Sequence, residues 1–86
     1  MKVEFSHKFK KKLNKLPFSI QEKFDKRFLL FCDDSFHPLL HNHSVDPPFI
    51  DTRSINITGD YRALFIKEGE NHFVFMDIGT HSELYD

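Results

Sequence analysis

The sequence predicts one α+β domain in which two helices cover one face of a four-stranded antiparallel sheet. The chain has 86 residues, which is the length of a single domain spanning residues 1–86. Residues 7–32 repeat apolar side chains at helical spacing. Residues 53–78 instead form three short apolar runs that are separated by turn residues. Helices followed by hairpin-linked strands are typical of an α+β fold with the element order β-α-α-β-β-β.

The first strand and the first helix are predicted close to the N-terminus. Apolar and polar residues alternate over residues 2–6, which indicates an opening strand. A helix is expected over residues 7–15, because Ser6 is a suitable N-cap and the apolar residues after it lie on one face. Pro17 cannot continue this helix, so it must end there.

A second helix is expected over residues 19–32. Ser19 and Glu22 have the spacing of a capping box. The single cysteine, Cys32, is expected to be a small buried group near the end of this helix. The predicted apolar stripe consists of Ile20, Phe24, Phe28 and Phe31.

A loop and three strands are predicted in the rest of the chain. Paired prolines and poor periodicity indicate a loop over residues 37–50. Turns at Gly59-Asp60 and at residues 68–71 separate the strands. The strands are expected at residues 53–57, 61–67 and 72–78. Because the helices cover one face of this sheet, its other face remains free to serve as a groove.

Positive charge is concentrated in the N-terminal part of the chain. Residues 1–31 contain nine basic and three acidic residues, a balance of +6, whereas residues 32–86 have a balance of −7. A lysine-rich helix face can bind phosphates, or it can simply be solvated. The lysines that we expect to face RNA are Lys8, Lys11, Lys12 and Lys15, with Lys10 beside them.

Neither a membrane-spanning segment nor a signal peptide is expected from the sequence. No run of 18 apolar residues is present, and the N-terminus does not begin as a signal peptide. One cysteine excludes an internal disulfide framework, which fits a reducing compartment. We therefore expect a cytoplasmic protein that makes no membrane contact.

The C-terminal third contains the groups that cleave RNA by internal attack of a 2′-OH. Such cleavage needs a base, a cation that holds the phosphorane and an acid for the leaving oxygen. Histidine suits both proton roles, and arginine holds two phosphate oxygens. Arg62 lies within an apolar strand, so it must either reach the open face or pair with an acid such as Asp60 or Asp77. His81 follows the last strand, at an expected surface turn that Gly79 would allow to be tight.

Two motifs in this region resemble the RelE/ParE toxin superfamily, most closely the YafQ-like mRNA interferases. They are Gly59-Asp60-Tyr61-Arg62 and Ile78-Gly79-Thr80-His81, the latter followed after two residues by Leu84-Tyr85. The resemblance implies a phosphate contact for Arg62 and general acid catalysis by His81. It also implies that Tyr85 orients or stacks on the substrate, although a purely structural anchor is an equal alternative.

The remaining candidate residues follow from the same resemblance. His43 is the candidate base, because its separation of 17 residues from Asp60 matches the YafQ-like pattern. Asp60 is expected to orient an imidazole, or to be only a turn residue. Asn56 stands where some relatives carry a further histidine, and Arg53 is a weaker phosphate contact. Whether His41 or His43 faces the site stays open.

The resemblance predicts a ribosome-dependent mRNA endonuclease that needs no cofactor, with a cognate antitoxin, the ribosome and mRNA as partners. Two alternatives remain: a catalytically weak binding module of the same fold, and a ParE-type gyrase inhibitor. A metal site built from His37, His41 and His43, with Cys32 or His72, matches no standard zinc spacing. No metal is therefore expected.

Overall fold

The computed structural model describes residues 1–85. The strands in these residues are β1 (Lys2–Phe5), β2 (His43–Ser44), β3 (Thr52–Asn56), β4 (Tyr61–Gly69) and β5 (His72–Thr80). The helices are α1 (His7–Lys15), α2 (Phe18–Asp33) and α3 (His81–Tyr85), with a 3₁₀ turn at Pro38–Leu40. No helix of these 85 residues combines the length and the apolar character that a membrane crossing requires.

The α+β class is confirmed, but the predicted sheet of four antiparallel strands is wrong in two respects. The sheet has five strands in the order β1-β5-β4-β3-β2, and β1 runs parallel to β5. The chain leaves β1 through both helices before it returns to the sheet, and such a crossover permits parallel pairing. The additional strand β2 has only two residues, which is too short for any recognisable alternation.

The helix boundaries agree with the predictions except in α2, which begins and ends one residue outside the expected range. Ser6 caps α1 as expected, because its Oγ accepts a hydrogen bond from the N–H of Phe9 at 3.0 Å. The capping box at Ser19 is wrong: α2 begins at Phe18, and Pro17 precedes it without a side-chain cap. A proline φ of −51° already suits a helix start, so the helix begins before Ser19.

Cys32 is exposed, contrary to the expected burial. The buried stripe of α2 passes through Phe24 and Phe31, and Cys32 follows Phe31 on the adjoining, solvated side of the helix. Leu29, three residues before Cys32, lies on that side as well and is also exposed.

The core between the helices and the sheet is built mainly from phenylalanine rings. Phe75 on β5 is fully buried and lies at its centre, with six other rings whose centroids are 5.3 to 6.1 Å away. These rings belong to Phe5, Phe9, Phe24, Phe28, Phe31 and Phe65. Large rings bury much area per residue, which allows so short a chain to form a stable core.

The sheet register defines which side chains lie opposite the helices. Ile55, Ala63 and Ile78 are neighbours across β3, β4 and β5, and all three belong to the buried core. Side chains alternate along a strand, so the adjacent row, Asn56 and Arg62, points to the opposite face. The register thus places Arg62 on the face that the helices leave uncovered.

Candidate active site

An open cleft of about 380 Å³ lies at the end of the sheet where β3 turns into β4 and β5 leads into α3. Four residues that the sequence singled out contribute to it: His43, Arg62, His81 and Tyr85. They come from β2, β4 and α3, which are distant along the chain. The complete lining is His41, His43, Val45, Pro47, Pro48, Arg62, His81 and Tyr85.

The guanidinium of Arg62 is oriented by the turn that joins β3 to β4. Its Nη1 donates hydrogen bonds to the carbonyl oxygens of Thr58 and Tyr61, both at 3.0 Å. Its Nη2 donates a further bond to the carbonyl of Gly59 at 3.1 Å. Three backbone acceptors therefore fix the plane of the guanidinium without neutralising its charge.

No carboxylate within residues 1–85 forms an ion pair with Arg62, so neither Asp60 nor Asp77 is its partner there. Arginine has five N–H donors, and the three bonds to the turn leave Nε–H and one Nη2 hydrogen. Two such donors on one planar group suit two oxygens of a phosphate. Arg62 therefore presents a charged donor pair beside the cleft.

His43 is held in a defined tautomer by the backbone. Its Nδ1 lies 2.7 Å from the carbonyl oxygen of His41. A carbonyl only accepts, so Nδ1 carries the proton and Nε2 of the neutral ring has the free lone pair. His41 adopts a left-handed conformation with φ of 46° at the end of the 3₁₀ turn, and this directs its carbonyl toward His43.

Both histidines of the loop face the cleft, which answers the question that the sequence left open. The rings of His41 and His43 are 4.8 Å apart between centroids. His41 itself is exposed, whereas His43 is half-buried. Together with His81, three imidazoles therefore border one cleft.

The sequence predicted that His81 lies in a turn, but His81 is the first residue of α3. Its backbone N–H donates to the carbonyl of Asp60 at 3.0 Å, which ties α3 to the β3–β4 turn. Gly79 does not form a tight turn either: it is buried within β5, and a Cβ there would lie 3.2 Å from Oε1 of Glu83. Because α3 folds back over the strand, a larger residue here would require Glu83 to shift by a few tenths of an ångström.

A capping box fixes the start of α3. Thr80 donates its N–H to Oε1 of Glu83 at 2.8 Å, and Glu83 donates its N–H to Oγ1 of Thr80 at 3.2 Å. The hydrogen bond from the Thr80 backbone lowers the pKa of Glu83 below its usual value. The Thr80-x-x-Glu83 spacing is visible in the sequence, and it was the signal that could have predicted α3.

The capping box predicts that α3 loosens in acid. A carboxyl whose folded pKa is depressed stabilises the fold above its unfolded pKa, near 4.5 for Glu83, and this contribution is lost as pH falls through the folded pKa. Amide exchange of α3 should therefore accelerate below about pH 4.5 in the unmutated chain. In Glu83→Gln the exchange should change little with protonation across that range, once the intrinsic pH dependence of amide exchange is divided out. Equal acid sensitivity of both proteins would contradict the assignment.

Tyr85 lies between the cleft and a hydrophobic contact. Its ring is 4.6 Å from the ring of His81 and 5.8 Å from Phe49, which it meets edge to face. Its hydroxyl is buried and has no hydrogen-bond partner within residues 1–85. A buried hydroxyl without a partner is unfavourable by about 1–3 kcal/mol. Tyr85 thus has both an anchoring contact and an unused polar atom beside the cleft.

Besides the lysines of α1, three predicted site residues lie outside the cleft lining. Asp60 contributes its backbone carbonyl to His81, and no hydrogen bond of its carboxylate is found within the described part of the chain. Asn56 pairs with Arg62 across the strands, and its buried Oδ1 has no partner in residues 1–85. Arg53 is bound to Asn42 through Nε at 2.7 Å and lines a different cavity.

A model of the family described as the ParE toxin of type II toxin–antitoxin systems matches residues 3–85. The chain belongs to the ParE toxin family. No curated protein sequence matches it significantly. The family membership identifies the chain as a toxin of a type II toxin–antitoxin system, and it agrees with the RelE/ParE resemblance of the two motifs.

Solved structures with the same fold include several toxins. YafQ from E. coli strain BL21(DE3) superposes with a TM-score of 0.81 at 15% identity and covers 98% of this chain and 97% of its own. A YoeB/ParE toxin from Agrobacterium tumefaciens gives 0.77 at 14% identity, with 94% and 99% covered. The intact E. coli RelBE toxin–antitoxin complex gives 0.70 at 16% identity, with 92% and 94% covered. At these identities the likeness shows that the ParE-family toxin has a RelE-like fold.

The predicted RNA-binding lysines of the ParE-family toxin lie together on α1, away from the cleft. They line a groove of about 390 Å³ with His7. Lys8 and Lys12 both form ion pairs with Asp77 on β5. Sequence reasoning considered Asp77 only as a partner of Arg62, because the distance of 65 residues between Lys12 and Asp77 hides their contact.

The residues described in the toxin contain no group of three His, Cys, Asp or Glu side chains that is arranged to hold a metal ion. Of the histidines considered for such a site, His37 caps the 3₁₀ turn by accepting the N–H of Leu39 at 3.1 Å. His72 pairs with Glu4 at 2.9 Å. His37 and His72 are thus each engaged in a contact of their own.

Proposed function

We propose that the toxin is a ribosome-dependent mRNA endonuclease that cleaves through attack of the 2′-OH. One observation carries the proposal: His43, Arg62 and His81, which are distant along the chain, border the same cleft. These are the residue types that the three roles of the reaction require. The cleft is open to solvent on the face opposite the helices, so a strand of RNA has access to it.

His43 is the base in this proposal. Its Nδ1 is committed to the carbonyl of His41, which leaves the Nε2 lone pair for the proton of the 2′-OH. The 2′ oxygen then forms a bond to phosphorus, and the bond from phosphorus to the 5′ oxygen breaks. The products are a 2′,3′-cyclic phosphate and a free 5′-OH, so no water is consumed in this step.

Arg62 stabilises the phosphorane in this proposal, and His81 is the acid. The free N–H donors of Arg62 hold the phosphate oxygens as negative charge develops on the phosphorane. Protonated His81 gives its proton to the departing 5′ oxygen. Tyr85, which lines the cleft, orients the substrate or stacks on a base. Since imidazole and guanidinium supply all three roles, the proposal requires no metal.

Ribosome, mRNA and a cognate antitoxin are the partners in this proposal. The lysine groove of α1 would meet ribosomal RNA while the cleft meets mRNA. The E. coli RelBE structure, which has this fold, is a toxin–antitoxin complex, and it supports a protein antitoxin for this toxin as well. To prevent cleavage, such an antitoxin has to cover the cleft or exclude RNA from it.

A ParE-type gyrase inhibitor is the second candidate, and the family match favours it. A third possibility, a binding module with little cleavage, is favoured by the acidic balance of residues 32–86. Neither needs the convergence of two imidazoles and a guanidinium. Both therefore predict that the cleft residues can be replaced without losing gyrase inhibition in the one case or partner binding in the other.

Controlled induction in a bacterial host distinguishes the three candidates. For an endonuclease, the unmutated chain should arrest growth with loss of mRNA, and the double variant Arg62→Ala, His81→Ala should not. Gyrase inhibition without mRNA loss would support the second candidate. Absence of any growth effect from the unmutated, folded chain would support the binding module.

A further inference from the structure

The groove along α1 is a concentrated positive surface. Among the described residues, its lining consists of His7, Lys8, Lys11, Lys12 and Lys15, and its volume of about 390 Å³ equals that of the cleft within a few per cent. Successive turns of one helix place these side chains on one face. Within residues 1–85, neither Lys11 nor Lys15 takes part in an ion pair.

One carboxylate neutralises the other half of this groove. Oδ2 of Asp77 lies 3.1 Å from Nζ of Lys8, and its Oδ1 accepts a hydrogen bond from Nζ of Lys12. The same Oδ1 also accepts the backbone N–H of Ile78 at 2.9 Å. Each carboxylate oxygen thus meets one ammonium group, as two oxygens of a phosphate would.

The pKa of Asp77 agrees with its close contact to the two lysines. Burial raises the pKa of Asp77, but the hydrogen bonds from Lys12, Lys8 and the Ile78 N–H, together with the charge of Lys12, hold this pKa below its usual value. The Asp77 side chain is 20% exposed, whereas Lys12 is 34% and Lys8 is 67% exposed. The two lysines therefore remain accessible to an anion from solvent although Asp77 is largely covered.

The groove also lies next to the element that carries His81. The charges of Lys12 and Asp77 both act on the pKa of Glu83 in α3, after the larger effect of its hydrogen bonds with Thr80. An anion in the groove would therefore lie near α3, whose first residue, His81, borders the cleft.

We propose that Asp77 occupies a phosphate-binding position between Lys8 and Lys12, and that it lowers the affinity of the toxin for single-stranded RNA. A backbone phosphate competes with the carboxylate for the same two ammonium groups. The positive charges of Lys11 and Lys15, which Asp77 does not neutralise, attract the RNA. The inference extends the proposed function, because it names the residue that limits RNA binding at the lysine groove.

Binding of a short 2′-O-methyl RNA oligonucleotide tests the proposal directly. The methyl group blocks cleavage, so the measurement does not depend on catalysis. Asp77→Asn removes the charge and retains the oxygen that accepts the Ile78 N–H. We expect it to bind about three- to tenfold more tightly, and its plot of log K against log salt to steepen by about 0.7 to 1.4, which corresponds to one or two added phosphate contacts.

Asp25→Asn is the matched control. It removes the same charge from an exposed position on α2 that forms no ion pair within residues 1–85. Its affinity should stay within about twofold of the unmutated chain, since a distant exposed charge is screened by salt. Equal effects of the two substitutions would overturn the proposal, as would a failure of both the unmutated chain and Asp77→Asn to bind.

A second comparison does not require Asp77→Asn to fold. In the unmutated background, Lys11→Met, Lys15→Met should lose more affinity than the triple variant Lys8→Met, Lys12→Met, Asp77→Met, because the triple variant removes an ion-paired cluster whose net charge is only +1. The reverse order would overturn the proposal. If RNA binding follows this pattern but induction causes no mRNA loss, the proposed endonuclease fails and the Asp77 inference stands.

Discussion

Arg62→Lys is expected to slow cleavage of ribosome-bound mRNA about 10²- to 10³-fold without unfolding the toxin. Lysine keeps the charge, but it lacks the planar fork that binds two phosphate oxygens. It also cannot reproduce the three hydrogen bonds to Thr58, Gly59 and Tyr61 that orient the guanidinium. The initial rate of cleavage on programmed ribosomes measures the effect.

Arg27→Lys is the control for this substitution. Arg27 donates to the carbonyl of Leu39 at 2.6 Å and lies outside the cleft, so the same change of side chain should leave the cleavage rate almost unaltered. Thermal unfolding of both variants shows whether either has lost stability. Equal rates for Arg62→Lys and the unmutated toxin would exclude a phosphate contact by the Arg62 fork.

His43→Gln and His81→Gln are each expected to reduce the cleavage rate about 10²- to 10⁴-fold, which is the usual contribution of a positioned acid or base. The two variants should also differ in their pH dependence. A base must be neutral to accept a proton, so loss of His43 should remove the fall in rate toward acid pH. An acid must be protonated, so loss of His81 should remove the fall toward alkaline pH.

His72→Gln provides the control for both histidines. Its imidazole pairs with Glu4 at the N-terminal end of β5 and does not line the cleft. It should retain the bell-shaped profile and the rate of the unmutated toxin. If all three glutamine variants lose activity equally, the histidines of the cleft have no special role in proton transfer.

Local patterns predicted the helices and the three C-terminal strands well. Ser6, Pro17 and the phenylalanine stripe of α2 each act within a few residues, and the structure places α1 and α2 within one residue of the expected ranges. The partner of β1 was not predictable in this way. Its pairing with β5 joins residues about 70 positions apart, and nothing in either strand specifies that neighbour.

The site, too, has features that local sequence predicts and features that depend on the folded chain. The motifs around Arg62 and His81 are contiguous in sequence, so they indicated the candidate residues before any fold was known. The tautomer of His43 depends on the left-handed conformation of His41, and the charge of the lysine groove depends on Asp77. Both arise from contacts in the folded chain, which spacing along the sequence does not encode.

The decisive experiment maps mRNA 5′ ends after brief induction of the unmutated toxin and of His81→Ala. If the cleft cleaves RNA, the unmutated toxin should produce new 5′-hydroxyl ends within translated regions, and His81→Ala at equal protein level should produce none above background. Identical 5′ ends from both proteins, or no new ends from a folded toxin that still arrests growth, would contradict the claim that the cleft cleaves RNA.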